Sequence, residues 1–323
     1  MQAQTTATTN RTFAWKAFFQ QYGLMMSLIL LCVGLALASD RFLTVDNLTN
    51  VLRQASINGI ISIGMMLVIM TRGIDLSVGS VLALATIVGA DLFLQYELAP
   101  IVAILIVLAV GGLAGAVNGV LVSRVNIPPF IATLGMMTLA RGAALAYSEG
   151  QPITGLGELG EGIRWLGSGV LFGVPVPIYV MAVVYVLTYI LLNHTSTGRY
   201  IQGIGDNERA AFLSGLPVRQ IQVFVYSIAG LLAALGGIIL MGRLNSAQPT
   251  AGEMFEFDAI AAVVVGGTSF EGGQGTVIGT LIGVLIIAIL DNGLNLLDVS
   301  AFYQDIVKGV VIALALLIYR VLR

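Results

Sequence analysis

The sequence predicts an all-α integral membrane protein with about ten transmembrane helices, and three observations carry that expectation. Of the 323 residues, 57% are hydrophobic and only 10% are charged, against about 25% charged in an ordinary soluble domain. The mean hydropathy is +0.95. Apolar runs of spanning length recur between polar or Gly/Pro breaks along the whole chain. A spanning helix takes about 20 apolar residues to cross about 30 Å, so ten of them use on the order of 200 residues and leave roughly 120 for loops and tails. That arithmetic leaves no length for a separate soluble catalytic domain.

Taken in order, the first run, Leu24 to Ala38, follows Arg11 and Lys16 and ends in Ala36-Leu37-Ala38, which imitates a cleaved signal peptide. Because it opens a series of further spans and Tyr22 to Ser39 is nearly long enough to cross, it is read as an uncleaved first span behind a cytoplasmic amino tail, 1–21. The following runs place helices near 50–71, 80–95, 99–122, 128–147, 177–193, 220–241, 258–269, 275–292 and 303–319, all within one transmembrane domain, 22–323. The eighth run is too short to cross. Together with the Gly/Ser breaks Gly73 to Gly79 and Gly266 to Gly275, it predicts broken or part-depth helices near 72–79 and 258–275.

An even number of spans puts both ends of the chain on one side. The 194–220 loop holds Arg199, Arg209 and Arg219, and the tails add Arg11, Lys16, Arg320 and Arg323. The positive-inside rule therefore assigns both termini and this loop to the cytoplasm, and segments 40–49, 148–176 and 242–257 to the outside. Gly111, Gly115 and Gly119, and again Gly275, Gly279 and Gly283, each line one helix face, where they let another backbone approach closely. Packing within the chain is the expected use of both.

Several chemistries are excluded. The formal net charge is −2 and the 15 basic residues are scattered singly, whereas a nucleic-acid surface needs them clustered. One cysteine, Cys32, and one histidine, His194, leave no set for zinc, haem or an intrachain disulfide. No Walker sequence is present, so the chain is not expected to hydrolyse ATP itself or to bind a cofactor. Gly155-Leu-Gly-Glu-Leu-Gly160 matches the dinucleotide fingerprint in letters only, because no strand and no βαβ unit surround it. His194 ends the sixth span beside Asn193 and Thr195, where a solvated helix end is the plainer reading.

The informative segment is Asp206-Asn207-Glu208-Arg209-Ala210-Ala211-Phe212-Leu213-Ser214-Gly215, followed by Leu216-Pro217. Asp206 or Asn207 can cap a short helix, Gly215 suits the position after its end, and Pro217 stops it. About seven residues do not hold a helix alone in water, and Ala210 to Leu213 give this one an apolar face that needs a partner surface. Among the ionisable residues near the membrane, Asp75, Asp91, Arg141, Asp258, Asp291, Asp305 and Lys308, the spacing lets Asp305 and Lys308 pair within one helix. The others fall near predicted ends, where water is expected to reach them. Neutral polar groups are better candidates for a solute path, because amides and hydroxyls exchange hydrogen bonds with a sugar without burying charge. Asn58, Asn118, Asn292, Asn295, Tyr303 and Gln304, with Ser62 and Thr133, form that set.

The runs Thr71 to Ser80, Asn207 to Gly215, Ser246 to Gly252, Asp258 to Ser269, Gly279 to Gly283 and Asn292 to Leu297 resemble the membrane subunit of ribose-type ABC importers, in order and over nearly all the chain after about residue 40. The third to fifth runs lean towards the ribose branch. The resemblance implies a ten-helix bacterial inner-membrane subunit paired with a second copy around a central path. It also implies ATP-binding-cassette subunits, carrying ATP and Mg, on the cytoplasmic side and a periplasmic sugar-binding protein outside. In that scheme 207–215 matches the coupling helix that sits in the ATPase. Competing readings are an ion-coupled secondary sugar carrier, for which a mid-depth carboxylate is the expected mark, and an ABC permease for branched-chain amino acids or nucleosides.

Overall fold

The computed structural model describes residues 23–96, 99–156, 161–300, 302–304, 306–311 and 313. The helices are α1 (Gly23–Ala38), α2 (Val45–Met70), α3 (Val78–Tyr96), α4 (Pro100–Ser123), α5 (Pro129–Tyr147), α6 (Glu161–Ser168), α7 (Val176–His194), α8 (Ser196–Asp206), α9 (Glu208–Leu213), α10 (Val218–Leu244), α11 (Phe255–Val265) and α12 (Val277–Leu296). Residues 302–304 and 306–311 are helical as well. Seven of these, α2 to α5, α7, α10 and α12, are long and apolar enough to cross a membrane, so the chain is an all-α multi-pass membrane protein. α1 is apolar but shorter. The amino tail, Asp305 and Gly157 to Gly160 lie outside the described residues, as does most of the run expected at 312–319.

Local chemistry fixes where the spans begin. Pro stands in the first turn of α4, α5 and α7, where a missing N–H costs nothing. Thr44 caps α2 by accepting from Asn47 N, and Thr276 caps α12 by accepting from Gly279 N at 3.0 Å. α11 has 11 residues, about 16 Å at 1.5 Å per residue, and stops short of a full crossing, as the eighth run suggested.

α2 is the axis of the bundle. All of its residues from Ala55 to Met70 are buried, and α7, α10, α11 and α12 pack around it. The first glycine series does what its spacing suggested; in the second, Gly279 and Gly283 do so, whereas Gly275 precedes α12 and meets the Met70 side chain. A Cβ at Gly111 would strike the Gly230 carbonyl, one at Gly115 the Tyr226 carbonyl, and one at Gly119 the backbone of Val223, so α4 and α10 touch along their main chains. Gly279 and Gly283 meet Gly266 and Ala262 in the same way.

The bundle has two distinguishable ends. At one, α8 and α9 join α7 to α10; at the other, α6 lies across the last turn of α10, with Ile163 and Gly167 against Gly242. The α6 end carries two short pairs, Ile153–Thr154 antiparallel to Ser246–Ala247 and Val170–Leu171 antiparallel to Val174–Pro175. α6, α8 and these strands lie in segments that the sequence presented as plain loops.

The close α4–α10 seam predicts a sharp contrast between neighbouring glycines. Gly115→Ala forces backbone movement and is expected to cost about 1 to 3 kcal/mol, the range for overpacking. Gly112→Ala meets its nearest neighbour only at 3.9 Å and should be neutral or slightly stabilising. Thermal unfolding of the purified variants in detergent measures both.

Candidate functional site

The α9 end is built by local signals. Asn207, extended at φ −157° and ψ 99°, accepts from Ala210 N at 2.9 Å through its side chain and so caps α9. Gly215 takes φ +80°, its N–H donates to Phe212 O at 3.0 Å, and Leu216 N donates to Ala211 O at 3.1 Å, so the helix stops there. Ala211 is 6% exposed and faces its own chain, whereas Phe212 and Leu213 are 61% and 76% exposed. Arg209, Ala210, Ser214 and Gly215 are exposed too, and Glu208 Oε1 accepts from Gln222 Nε2 at 3.3 Å. The apolar face therefore splits into an inward alanine and an outward Phe-Leu pair.

What holds this end was invisible in the sequence. Arg72 donates through Nε to Gly205 O and through Nη2 to Asp206 O, both at 2.7 Å, and so satisfies carbonyls at the end of α8. Gly273 N donates to Met70 O at 2.9 Å, and neither Gly205 nor Gly273 has room for a Cβ. The two Gly-rich breaks, one after α2 and one after α11, thus meet on the root of α9. A cavity of about 280 Å³ opens beside Arg72, lined also by Glu208, Gln222, Asn126 and Tyr226.

Two stretches interrupt the bundle inside its thickness. After Met70 the chain is non-helical to Ser77, held by Asp75 Oδ1, which accepts from Ser77 N at 2.9 Å and from Ser77 Oγ at 2.6 Å. Asn118 Nδ2 donates to Ser77 Oγ at 2.9 Å, and the Thr133 hydroxyl donates to Ile74 O at 3.1 Å. The second stretch is Asn245 to Met254. After pairing with Ile153–Thr154 it turns back into the bundle: Arg141 Nη1 donates to Pro249 O at 2.6 Å and to Ala251 O at 2.9 Å, and Gly252 lies directly on Gly79. Gly79 is twelve residues, about 18 Å, below Asp91 on α3. Asp91 receives the Tyr147 hydroxyl at the end of α5. Within the 242–257 segment, expected as an outside loop, residues 249–254 therefore re-enter the bundle from the α6 end, and their polar and Gly/Pro content serves that re-entrant backbone.

The acids also depart from expectation. Asp75, Asp258 and Asp291 are 1%, 7% and 4% exposed, so water does not reach them as their positions in the sequence suggested. Lys308 Nζ lies 3.1 Å from Asp258 and 3.3 Å from Asp291 and ties two other helices to its own. The expected partner within its helix, Asp305, lies outside the described residues. The absence of a mid-depth carboxylate can no longer be used against an ion-coupled carrier.

The neutral polar set is dispersed. Asn292 and Asn47 exchange hydrogen bonds at 2.7 and 2.9 Å, tying α12 to α2 at the α6 end. Gln304 donates to Asn295 at 2.9 Å and to Val299 O at 2.8 Å, and Tyr303 is exposed beside it. Asn58 is buried within α2, and Asn118 belongs to the Asp75–Ser77 break. No single surface unites them.

Comparison with known proteins supplies the class. Residues 47–316 match the family described as "Branched-chain amino acid transport system / permease component". The chain is 48% identical over 315 residues to the ribose import permease protein RbsC of Escherichia coli (strain K12), covering 97% of this chain and 98% of that one. It is 47% identical over 320 residues to RbsC of Bacillus subtilis (strain 168), covering 99% of each. The D-allose transport system permease protein AlsC of Escherichia coli (strain K12) is 36% identical over 317 residues, covering 98% of this chain and 96% of its own. No solved structure matches.

The Lys308 bridge gives a test of its own. Lys308→Met leaves two buried carboxylates without their shared cation and is expected to destabilise by about 3 to 5 kcal/mol. Adding Asp258→Asn and Asp291→Asn should recover most of the loss. The melting temperatures of the single and triple variants decide it.

Proposed function

Because the chain belongs to this permease family, we propose that it is the pore-forming subunit of an ATP-driven monosaccharide importer, with ribose as the sugar carried. The observation that carries the reading is the 47–48% identity, end to end, with ribose import permeases, against 36% with the allose permease and 34% with a fructose permease of Rhizobium meliloti. The family description names branched-chain amino acids, but these four relatives all carry the name of a sugar.

In this reading the chain lies in the bacterial inner membrane with ten crossings or part-crossings. α1 and the helical residues 302–304 and 306–311 complete the seven long spans and short α11, and the α9 end and both termini are cytoplasmic. Residues 1–21 form the amino tail and 22–323 the permease domain. Phe212 and Leu213, presented by the Asn207-capped helix, dock on a cytoplasmic ATP-binding-cassette subunit, which carries ATP and Mg. A periplasmic sugar-binding protein delivers cargo at the α6 end, and a second copy of the chain completes the path. Closure of the ATPase moves α9. Since α9 is rooted through Gly205, Asp206 and Arg72 to the break after α2, the motion reaches the bundle interior at 71–77.

Phe212→Asp is expected to leave the fold and insertion intact, since the side chain is exposed, yet to weaken ATPase binding by about 2 kcal/mol or more, roughly 30-fold, as loss of an aromatic anchor does. Ala211→Asp instead strikes the chain's own core and should unsettle α9 itself. Co-purification of the ATPase and ATP-dependent uptake in vesicles should fall together for Phe212→Asp. Gradient-driven uptake by the purified chain alone, without nucleotide, would overturn the importer reading in favour of a secondary carrier.

A further inference from the structure

We propose that Thr250 and Glu253, on the re-entrant segment 245–254, form a sugar-contacting wall at mid-depth in the translocation path. The inference rests on the importer reading and goes further by naming the surface that meets the cargo.

The argument starts from depth. Gly252 lies on Gly79, about 18 Å below the Asp91–Tyr147 level by helix rise. Measured from the opposite end, Thr133, one turn into α5, already bonds Ile74, five residues before Gly79. Residues 249–254 of the segment therefore sit well inside a hydrocarbon layer of about 30 Å. At such a depth irregular backbone survives only where protein covers it or water reaches it. Protein covers one side: Ser246, Ala247, Pro249 and Gly252 are buried, and Arg141 takes up the Pro249 and Ala251 carbonyls that no ladder pairs.

The other side is open, and it is polar. Thr250 and Glu253 are exposed, flanked by Met254 and Phe257, each 43% exposed. A carboxylate facing hydrocarbon at mid-depth costs several kcal/mol, so this face borders water. Charge balance is local, because Glu253 and Glu256 both lie in the field of Arg141.

The chemistry of that wet face suits a neutral polyol. A carboxylate has two oxygens to accept from neighbouring sugar hydroxyls, and the Thr250 hydroxyl can give and accept. Phe257 offers an apolar surface to the C–H face of a sugar ring. Among the described residues of this chain nothing encloses the site, so the contact is a passing one. Arg141 acts as a positioning residue: it fixes the carbonyls of 249 and 251 and thereby turns residues 250 and 253 outward.

Two readouts test this, and neither depends on the other. In a Cys32→Ala background, Thr250→Cys and Glu253→Cys in the importer reconstituted with its ATPase and binding protein should react with a small, permanently charged methanethiosulfonate. Val186→Cys, midway along the exposed apolar face of α7, should stay unreactive. Failure to label positions 250 and 253, or equal labelling at 186, overturns the proposal. In proteoliposomes, Thr250→Leu and Glu253→Leu should lower the amount of labelled ribose moved per ATP hydrolysed about tenfold. Thr250→Ser and Glu253→Gln keep a hydrogen-bonding group and should lose clearly less than the leucine variants; a loss equal to theirs overturns the proposal. A parallel fall of uptake and hydrolysis marks a merely structural role and overturns it as well. If the wild-type assembly fails to move ribose with ATP, the importer reading itself fails, whereas the labelling pattern still judges the wet face.

Discussion

Hydrocarbon offers no hydrogen-bond partner, and the whole arrangement follows from having to satisfy every main-chain group from within. Helices do so automatically, which is why most of the chain is helical. Among the described residues, three non-helical stretches reach into the bundle or close against α2, and each is held by a different device. Residues 71–77 use a side-chain cluster, Asp75, Ser77, Asn118 and Thr133. Residues 245–254 use a short strand pairing and the Arg141 guanidinium. Residues 266–276 close on themselves and on α2, through Ser269 N to Gln274 O at 2.9 Å and Gly273 N to Met70 O. Each device draws on residues far away in the chain, so the interruptions also fasten the bundle together.

Those fastenings are uneven, and the unevenness bears on motion. Where α4 meets α10 and α11 meets α12, glycines bring main chains into contact, and no side chain can swing aside to relieve a shift. Around the α9 root the ties are few and specific: two bonds from Arg72, one from Gly273 and one between Gln222 and Glu208. A push on Phe212 and Leu213 is therefore passed through a small number of directional bonds into a stiff body. Arg72 itself stands at φ 63°, an uncommon conformation for a residue with a side chain; it occupies the point where the first break and the end of α8 meet.

How much of this was legible depends on whether its causes are local. The spans could be placed to within a few residues because each is an apolar run ended by Pro, Gly or charge, and α9 could be read because Asn207, Gly215 and Pro217 act on their own neighbours. α8 escaped notice since only Ile201 and Ile204 of its eleven residues, which include three glycines, mark a buried face. That residues 249–254 turn back into the bundle was not legible for a deeper reason: irregular backbone needs Gly, Pro, Asn and Thr whether it lies in water or inside a bundle, so composition alone does not report depth. Pairings such as Lys308 with Asp258, 50 residues apart, and Arg141 with Pro249, 108 apart, leave no trace in a linear pattern. The dispersed asparagines show the converse, polar residues that looked like a path and that chiefly tie one helix to another.

Buried acids alone do not make an ion-coupled carrier, and the distinction is one of freedom to change charge. Asp258 and Asp291 share a lysine across three helices, and Asp75 is spent on closing a break; releasing a proton or cation from either place would undo a structural tie. The acid that borders water, Glu253, stands on a segment whose position is set by bonds to its carbonyls and not by its own carboxylate. A permease that receives cargo already selected by another protein gains nothing from holding it tightly, because a solute must leave a mid-depth contact as readily as it enters. In the importer reading proposed above, an open face with one carboxylate and one hydroxyl meets that requirement, while the ATPase acts at the far end of the bundle on the six-residue α9.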